Sequence, residues 1–445
     1  MASLFSLSSS SSSFLCSNKS IKLFSPPTRT PTFCSRSFSV KSLSSPETTT
    51  LSPTVQSFWR WVCDKGVIPT KSPPVKPAVV PEGLGLVAQR DFSRNEVVLE
   101  IPSRLWINAD TVAASEIGKV CGGLKPWASI ALFLIREKSR EDSPWRSYLD
   151  ILPKITNSTI FWSEEELSEL QGTQLLSTTL GVKEYVQSEF LKVEEEVILP
   201  NKHLFPSITP DDFLWAFGIL RSRAFSRGQN LVLVPPADLV LIQYDLGKSN
   251  AEFALDYGFI EPKPERNTYT LTLEISESDP FFGDKLDIAE SNGQGETAYF
   301  DICLGCPLPP AMLQYLRLVA LGGTDAFLLE SVFRNTVWGH LELPVSRANE
   351  ELICRVVRDA CRTALSSYST TIEEDEKIRE GRNLKPRLEI AVGIRAGEKK
   401  VLEQIDGIFK KRELELDGLE YYQERRLRDL GLVGEQGEII FWESK

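Results

Sequence analysis

Histidine is nearly absent from this 445-residue chain, which carries His203 and His340 and no other. That scarcity argues against a histidine-based triad or a histidine metal centre. Its eight cysteines are scattered. Cys303-Leu-Gly-Cys306 is a single C-x-x-C with no second pair at zinc-ligand spacing, so the expectation is chance spacing, with neither metal nor disulfide framework. Uncharged apolar runs of about 18 residues are missing, and no membrane span is expected. Positive charge is also short, with 50 Lys and Arg against 61 Asp and Glu. Without a basic stripe, that balance excludes nucleic acid as the expected partner.

One more absence is local. No Asp or Glu precedes Glu47, while Lys19, Lys22, Arg29, Arg36 and Lys41 all lie before it and residues 8–13 are all serine. Serine-rich, basic and acid-free is the composition of an organellar transit peptide, here residues 1–46, and the Met-Ala-Ser start leans towards the chloroplast. Losing those five basic residues leaves 45 Lys and Arg against 61 acids, or about −16. A protein or small-molecule partner suits such a surface best.

What remains is a globular composition, 42% hydrophobic and 25% charged, long enough for two domains. An amphipathic helix is expected over 55–63. Two short strands follow, 84–92 and 96–102, joined by a turn at Ser93-Arg94-Asn95. Residues 108–223 read as mostly helical, with Thr209-Pro210-Asp211-Asp212 as a helix start. Strands are expected at 231–234, 240–244 and 268–276, the last alternating Tyr269, Leu271, Leu273 and Ile275 with polar residues. From Leu308 the pattern is helical, with starts at Pro309-Pro310 and at Asn349 as N-cap, and a boundary falls near 300.

Several motifs together resemble one family. Pro81-Glu82-Gly83-Leu84-Gly85-Leu86-Val87-Ala88 looks like the opening strand of a SET domain. Arg221-Ser222-Arg223-Ala224-Phe225-Ser226-Arg227 and Pro235-Pro236-Ala237-Asp238-Leu239 resemble the approach to its pocket. Gln243-Tyr244-Asp245, Lys248-Ser249-Asn250 and 254–259 (Ala-Leu-Asp-Tyr-Gly-Phe) resemble its closing segment. The helical insert and helical C-terminus match the Rubisco large-subunit methyltransferase branch of SET-domain protein-lysine methyltransferases. The resemblance implies an α+β fold. A β-rich SET domain at 55–262, with its insert at about 108–223, would precede an all-α substrate-binding domain at 300–445. It also implies S-adenosyl-L-methionine as methyl donor, no metal, and the Rubisco large subunit or chloroplast fructose-bisphosphate aldolase as target. A monomer in the chloroplast stroma is expected.

Carried over motif by motif, Tyr244 matches the catalytic tyrosine. Glu82, Gly83, Leu84, Arg223 and Tyr257 resemble donor contacts. Arg223, Arg227, Asp238, Tyr244 and Tyr257 resemble the substrate side. The chemistry suits these types. A lysine amine must be neutral to attack a methyl group, although its free pKa is about 10.4. An apolar channel beside a cationic sulfonium disfavours the ammonium, and a phenol can orient the lone pair.

The chain departs from the family at one place. An Asn-His pair that grips the donor should follow Ala237-Asp238-Leu239, yet Val240-Leu241-Ile242-Gln243-Tyr244 comes next, and both histidines lie elsewhere. The missing stretch is on the order of 40 residues, several strands' worth. Both flanks keep their motifs, as in an excision between 239 and 240. The sequence therefore leaves two readings besides a plain helical scaffold: an active methyltransferase, or an isoform that binds the target without methylating it.

Overall fold

The structure is a computed structural model. It describes residues 51–433 and 439, apart from 68–72, 81–82, 94–95, 206, 228–229, 241–246 and 382–383. The leader expected at 1–46 lies outside the described residues, as do Glu82, Tyr244 and most of the strand expected at 240–244. The chain is α+β and divides into two compact units. One takes in the described residues of 51–156 and 182–240; the other those of 157–181 and 247–433.

In the first unit, the helix Pro53–Asp64 begins at N-cap Ser52 and buries Phe58 and Val62. Strand β1 (Val75–Val80) pairs antiparallel with β2 (Gly83–Ala88), in register from Val75 opposite Ala88 to Val80 opposite Gly83. This corrects the sequence reading, which paired 84–92 with 96–102. Residues 96–100 form no strand. Glu96 turns its carboxylate back to accept from the Ser93 amide and from Arg90, so the acid closes a turn instead of opening a strand. The partner strand was hidden because Pro77 interrupts the β1 pattern, and proline is tolerated only where a ladder donor is not needed.

A second sheet has the order β3-β5-β4, with β3 (Ile107–Asn108), β4 (Phe225–Arg227) and β5 (Asn230–Leu233). The helix Pro126–Ser139, buried from Ala128 to Glu137, packs on the helix Pro210–Arg223. The latter starts as its sequence foretells. Thr209 accepts from the Asp212 amide, Asp212 reciprocates, and Pro210 sits where an amide would have no partner.

In the second unit, β6 (Thr268–Glu274) pairs antiparallel with β7 (Thr297–Cys303) along its whole length. Tyr269, Leu271, Leu273 and Ile275 all enter the core, as the alternation predicts. That core continues into the helices Pro310–Val319, Arg347–Ser366 and Pro386–Leu414. Asn349 is not the N-cap expected. Ser346 caps the helix by accepting from the Asn349 amide, and the Asn349 side chain is buried, donating to the Arg317 carbonyl. Both residues are good caps three positions apart, and tertiary demand at Arg317 decides between them.

A buried carboxylate makes this unit sensitive to pH. Glu398 accepts from the Gln174 amide at 3.0 Å and the Tyr368 hydroxyl at 2.8 Å. Burial raises its carboxyl from 4.5 to about 7, against the lowering effect of those donors. The folded protein therefore holds this proton more tightly than the unfolded chain. Its contribution is complete below about 4.5 and is lost as pH rises through about 7. Glu398→Gln keeps an acceptor and removes the titration. Its unfolding free energy should exceed the parent's by about 3 kcal/mol at alkaline pH, read as a higher urea midpoint, with a flatter slope between acid and neutral. Parallel profiles for the two proteins would refute the assignment.

Candidate active site

Two of the sequence-flagged side chains come together in the first unit, on a carboxylate they share with a third residue. The helix Pro210–Arg223 ends at Arg223, and Ala224 turns extended into β4. Arg223 Nη1 donates to Asp238 Oδ2 at 2.9 Å, with the carboxylate fully buried and the arginine side chain 20% exposed. Asp238 sits in the single-turn helix Ala237–Leu239, which packs on β2, the strand that carries Gly83 and Leu84. Burial lifts the Asp238 carboxyl above its ordinary value, although Arg223 beside it pulls the other way.

The third partner is one the motifs did not name. Tyr148, fully buried on the short helix Arg146–Leu149, donates its hydroxyl to the same Asp238 oxygen at 2.9 Å. Burial, with Asp238 next to it, drives the phenol well above its usual range, so it remains a donor. Tyr148 and Asp238 lie 90 positions apart, and no local pattern links them. A tyrosine within the helical insert was the single clue.

Gly83 has φ of +121°, in the region that favours glycine, and a Cβ built there would meet nothing within 4 Å. The strand end is therefore both glycine-dependent and open. Leu84, half-buried, pairs with Val79. Arg227 closes β4 opposite Asn230. Tyr257 belongs to the other unit. It ends the helix Asn250–Asp256, with its ring 6.2 Å from Phe253 and 6.0 Å from Phe259, and with Lys248 Nζ 5.6 Å from its centre.

Gly258 fixes the chain just after Tyr257. Its φ is +77°, and an added Cβ would lie 2.3 Å from the Asn157 carbonyl carbon and 2.4 Å from the Ser158 amide nitrogen. Those contacts are backbone and cannot swing away. Gly258→Ala should cost about 2–4 kcal/mol, read as a lower urea midpoint, while the same change at Gly407, in open space, should cost little. Equal midpoints for the two variants would remove Gly258 as the anchor of this turn.

The residues present can be tested against a methyl donor. Asp238 Oδ1 is buried and has no side-chain partner among the described residues. A buried unpaired acceptor is costly and is suited to a ligand that brings a donor or positive charge. With the open backbone at Gly83 and the remaining donors of Arg223, this side of the site fits S-adenosyl-L-methionine. The Asn-His pair that would hold it from the other side is missing from the chain. Among the described residues, no group of His, Cys, Asp and Glu is placed to hold a metal ion.

Similarity to known proteins agrees with this reading. The family described as Rubisco LSMT substrate-binding matches residues 276–402. A chloroplastic ribulose-1,5-bisphosphate carboxylase/oxygenase large subunit N-methyltransferase of Nicotiana tabacum is 63% identical over 492 aligned positions, covering 100% of both chains. A chloroplastic [fructose-bisphosphate aldolase]-lysine N-methyltransferase of Arabidopsis thaliana is 67% identical over 88% of this chain and 90% of its own. The solved structure of Rubisco LSMT bound to AdoMet superposes with a TM-score of 0.82 at 65% identity, over 87% of this chain and 98% of the other. The tobacco alignment runs 492 positions against 445 residues here, so the difference falls in gaps on this side, comparable to the stretch missing after Leu239. The chain belongs to the Rubisco large-subunit methyltransferase family of SET-domain protein-lysine N-methyltransferases.

Proposed function

We propose that this chain acts on a lysine of a chloroplast protein, either the Rubisco large subunit or fructose-bisphosphate aldolase, with S-adenosyl-L-methionine as methyl donor. The observation that carries this reading is the match to methyltransferases of both names along nearly the whole chain. The donor supplies an activated methyl group. The chain's own residues do the rest. Gly83 and Leu84 present open backbone to the donor, with Glu82 beside them. Arg223, held by the Asp238 carboxylate that Tyr148 also binds, and Arg227 line the approach. Tyr244 orients the lysine amine, whose desolvation favours the neutral form, and Tyr257 keeps the pocket role that the family resemblance implies. Residues 55–262 form the catalytic portion in this reading, and 300–445 dock the target. The protein works as a monomer in the stroma. Incubation with methyl-labelled donor and each target, followed by peptide mass mapping, tests it. One target should gain methyl groups on a single lysine; label on neither would sink the catalytic reading.

A specific observation favours a second reading, an isoform that binds its target without methylating it. Leu239 runs straight into Val240, so the Asn-His grip is missing, while residues 276–402 match the family described as Rubisco LSMT substrate-binding. In that case immobilised Rubisco or aldolase should still capture the chain, and no methyl group should be transferred. Loss of capture together with loss of transfer would rule it out.

A further inference from the structure

The C-x-x-C at residues 303–306 does not have the free thiols expected of chance spacing. Cys303 and Cys306 are joined by a disulfide, Cα to Cα 5.4 Å apart. Cys303 ends β7, and the turn it opens carries Gly305 at φ +82°, a conformation glycine adopts readily. The Cys306 amide donates to the Cys303 carbonyl.

The turn does not depend on the covalent bond. Gln404, on the helix Pro386–Leu414, donates to the carbonyls of Cys303 and Cys306 at 3.2 and 3.3 Å and accepts from the Gly305 amide at 2.6 Å. The hairpin behind it is already pinned by a large apolar core. A cross-link spanning so few residues removes the least entropy from the unfolded chain, so it is a poor staple. Both cysteines are half-buried, open enough for a reagent to approach. Cys121, Cys354 and Cys361 are different: each is buried, with burial pushing the thiol up to about 11, 11 and 12.

We infer that Cys303–Cys306 is a thiol–disulfide exchange site whose partner is a dithiol reductant. A thiolate of the dithiol attacks one sulfur, forming a mixed disulfide and releasing the other cysteine as a thiolate, which takes up a proton. The reagent's second thiol then attacks the mixed bond, closes its own disulfide and frees the first cysteine. The pair gains two electrons and two protons, and the dithiol loses both.

Differential alkylation of the full chain, purified without reductant, tests this independently of methyl transfer. The folded protein is blocked with iodoacetamide, treated with dithiothreitol under native conditions, and labelled with N-ethylmaleimide before peptide mapping. Cys303 and Cys306 should carry the second label together, Cys63 the first, and Cys121, Cys354 and Cys361 neither until the chain is unfolded. In Cys306→Ser, Cys303 should move to the first label, with the circular dichroism melt unchanged. The inference is overturned if both cysteines of the parent take the first label. Second labelling that requires denaturant would overturn it as well.

Discussion

Titrated with S-adenosyl-L-methionine in a calorimeter, the mature chain should bind about 100-fold more weakly than the intact tobacco relative. In the proposed site the donor contacts that remain are on one side: Gly83, Leu84 and Arg223, with Asp238 Oδ1 buried and without a side-chain partner among the described residues. The Asn-His pair would add two or three hydrogen bonds on the other side. At roughly 1 kcal/mol net for each, and about 1.4 kcal/mol per tenfold in affinity, their loss amounts to about two decades. The excised strands would also have shielded these bonds from water, which makes the figure a lower bound. Matched affinities would mean that the segment after Leu239 is dispensable for donor binding. Restoring the relative's segment between Leu239 and Val240 should recover both affinity and transfer.

The largest stability effect is expected in the docking portion. Arg317 is buried, with Nε 2.6 Å from Glu350 Oε1 and Nη1 donating to the carbonyls of Leu341 and Glu342 at 2.8 and 2.7 Å. Glu350 is shared with Arg412, which reaches its other oxygen at 2.6 Å. Removing Arg317 leaves Glu350 held by Arg412 alone and takes the buried donor away from Glu350 Oε1 and from the Leu341 and Glu342 carbonyls, at a cost of about 3–5 kcal/mol. Arg317→Ala should therefore lower the unfolding free energy by that amount, read from the urea midpoint and slope, and abolish target capture. Replacing both charges, Arg317→Met with Glu350→Met, should regain part of it, because the half-satisfied buried carboxylate then goes with its partner. Arg412, partly exposed, can turn to solvent. A double variant no better than the single one would shift the blame to the two lost carbonyl bonds.

Elements whose cause lies within a few residues were legible. The Thr209-Pro210-Asp211-Asp212 start and the alternation through β6 are such cases, since a cap and a pleat are satisfied locally. Where two local signals competed, long-range contacts chose. Ser346 displaced Asn349 as a cap once the latter's amide was drawn to Arg317, and β2 took Val75–Val80 as partner once Glu96 folded back on Ser93. The candidate site divides the same way. Arg223 and Asp238 were recognisable by motif, 15 positions apart. Tyr148 was not, because its tie to Asp238 exists only after the insert has packed.

The sequence by itself determined ancestry, and it determined what is missing. Motif order and a histidine count are covalent facts that folding cannot alter, so the break between Leu239 and Val240 is read from the sequence alone. Tertiary structure alone decided which charges share a proton or a partner. It set Tyr148 and Arg223 on one buried carboxylate, left Asp238 Oδ1 unpaired, raised Glu398 by burial, and brought Cys303 and Cys306 within bonding distance. Except for the cysteine pair, which closes within a single turn, each of these depends on distance and on the exclusion of water, which are properties of packing between segments remote in the chain.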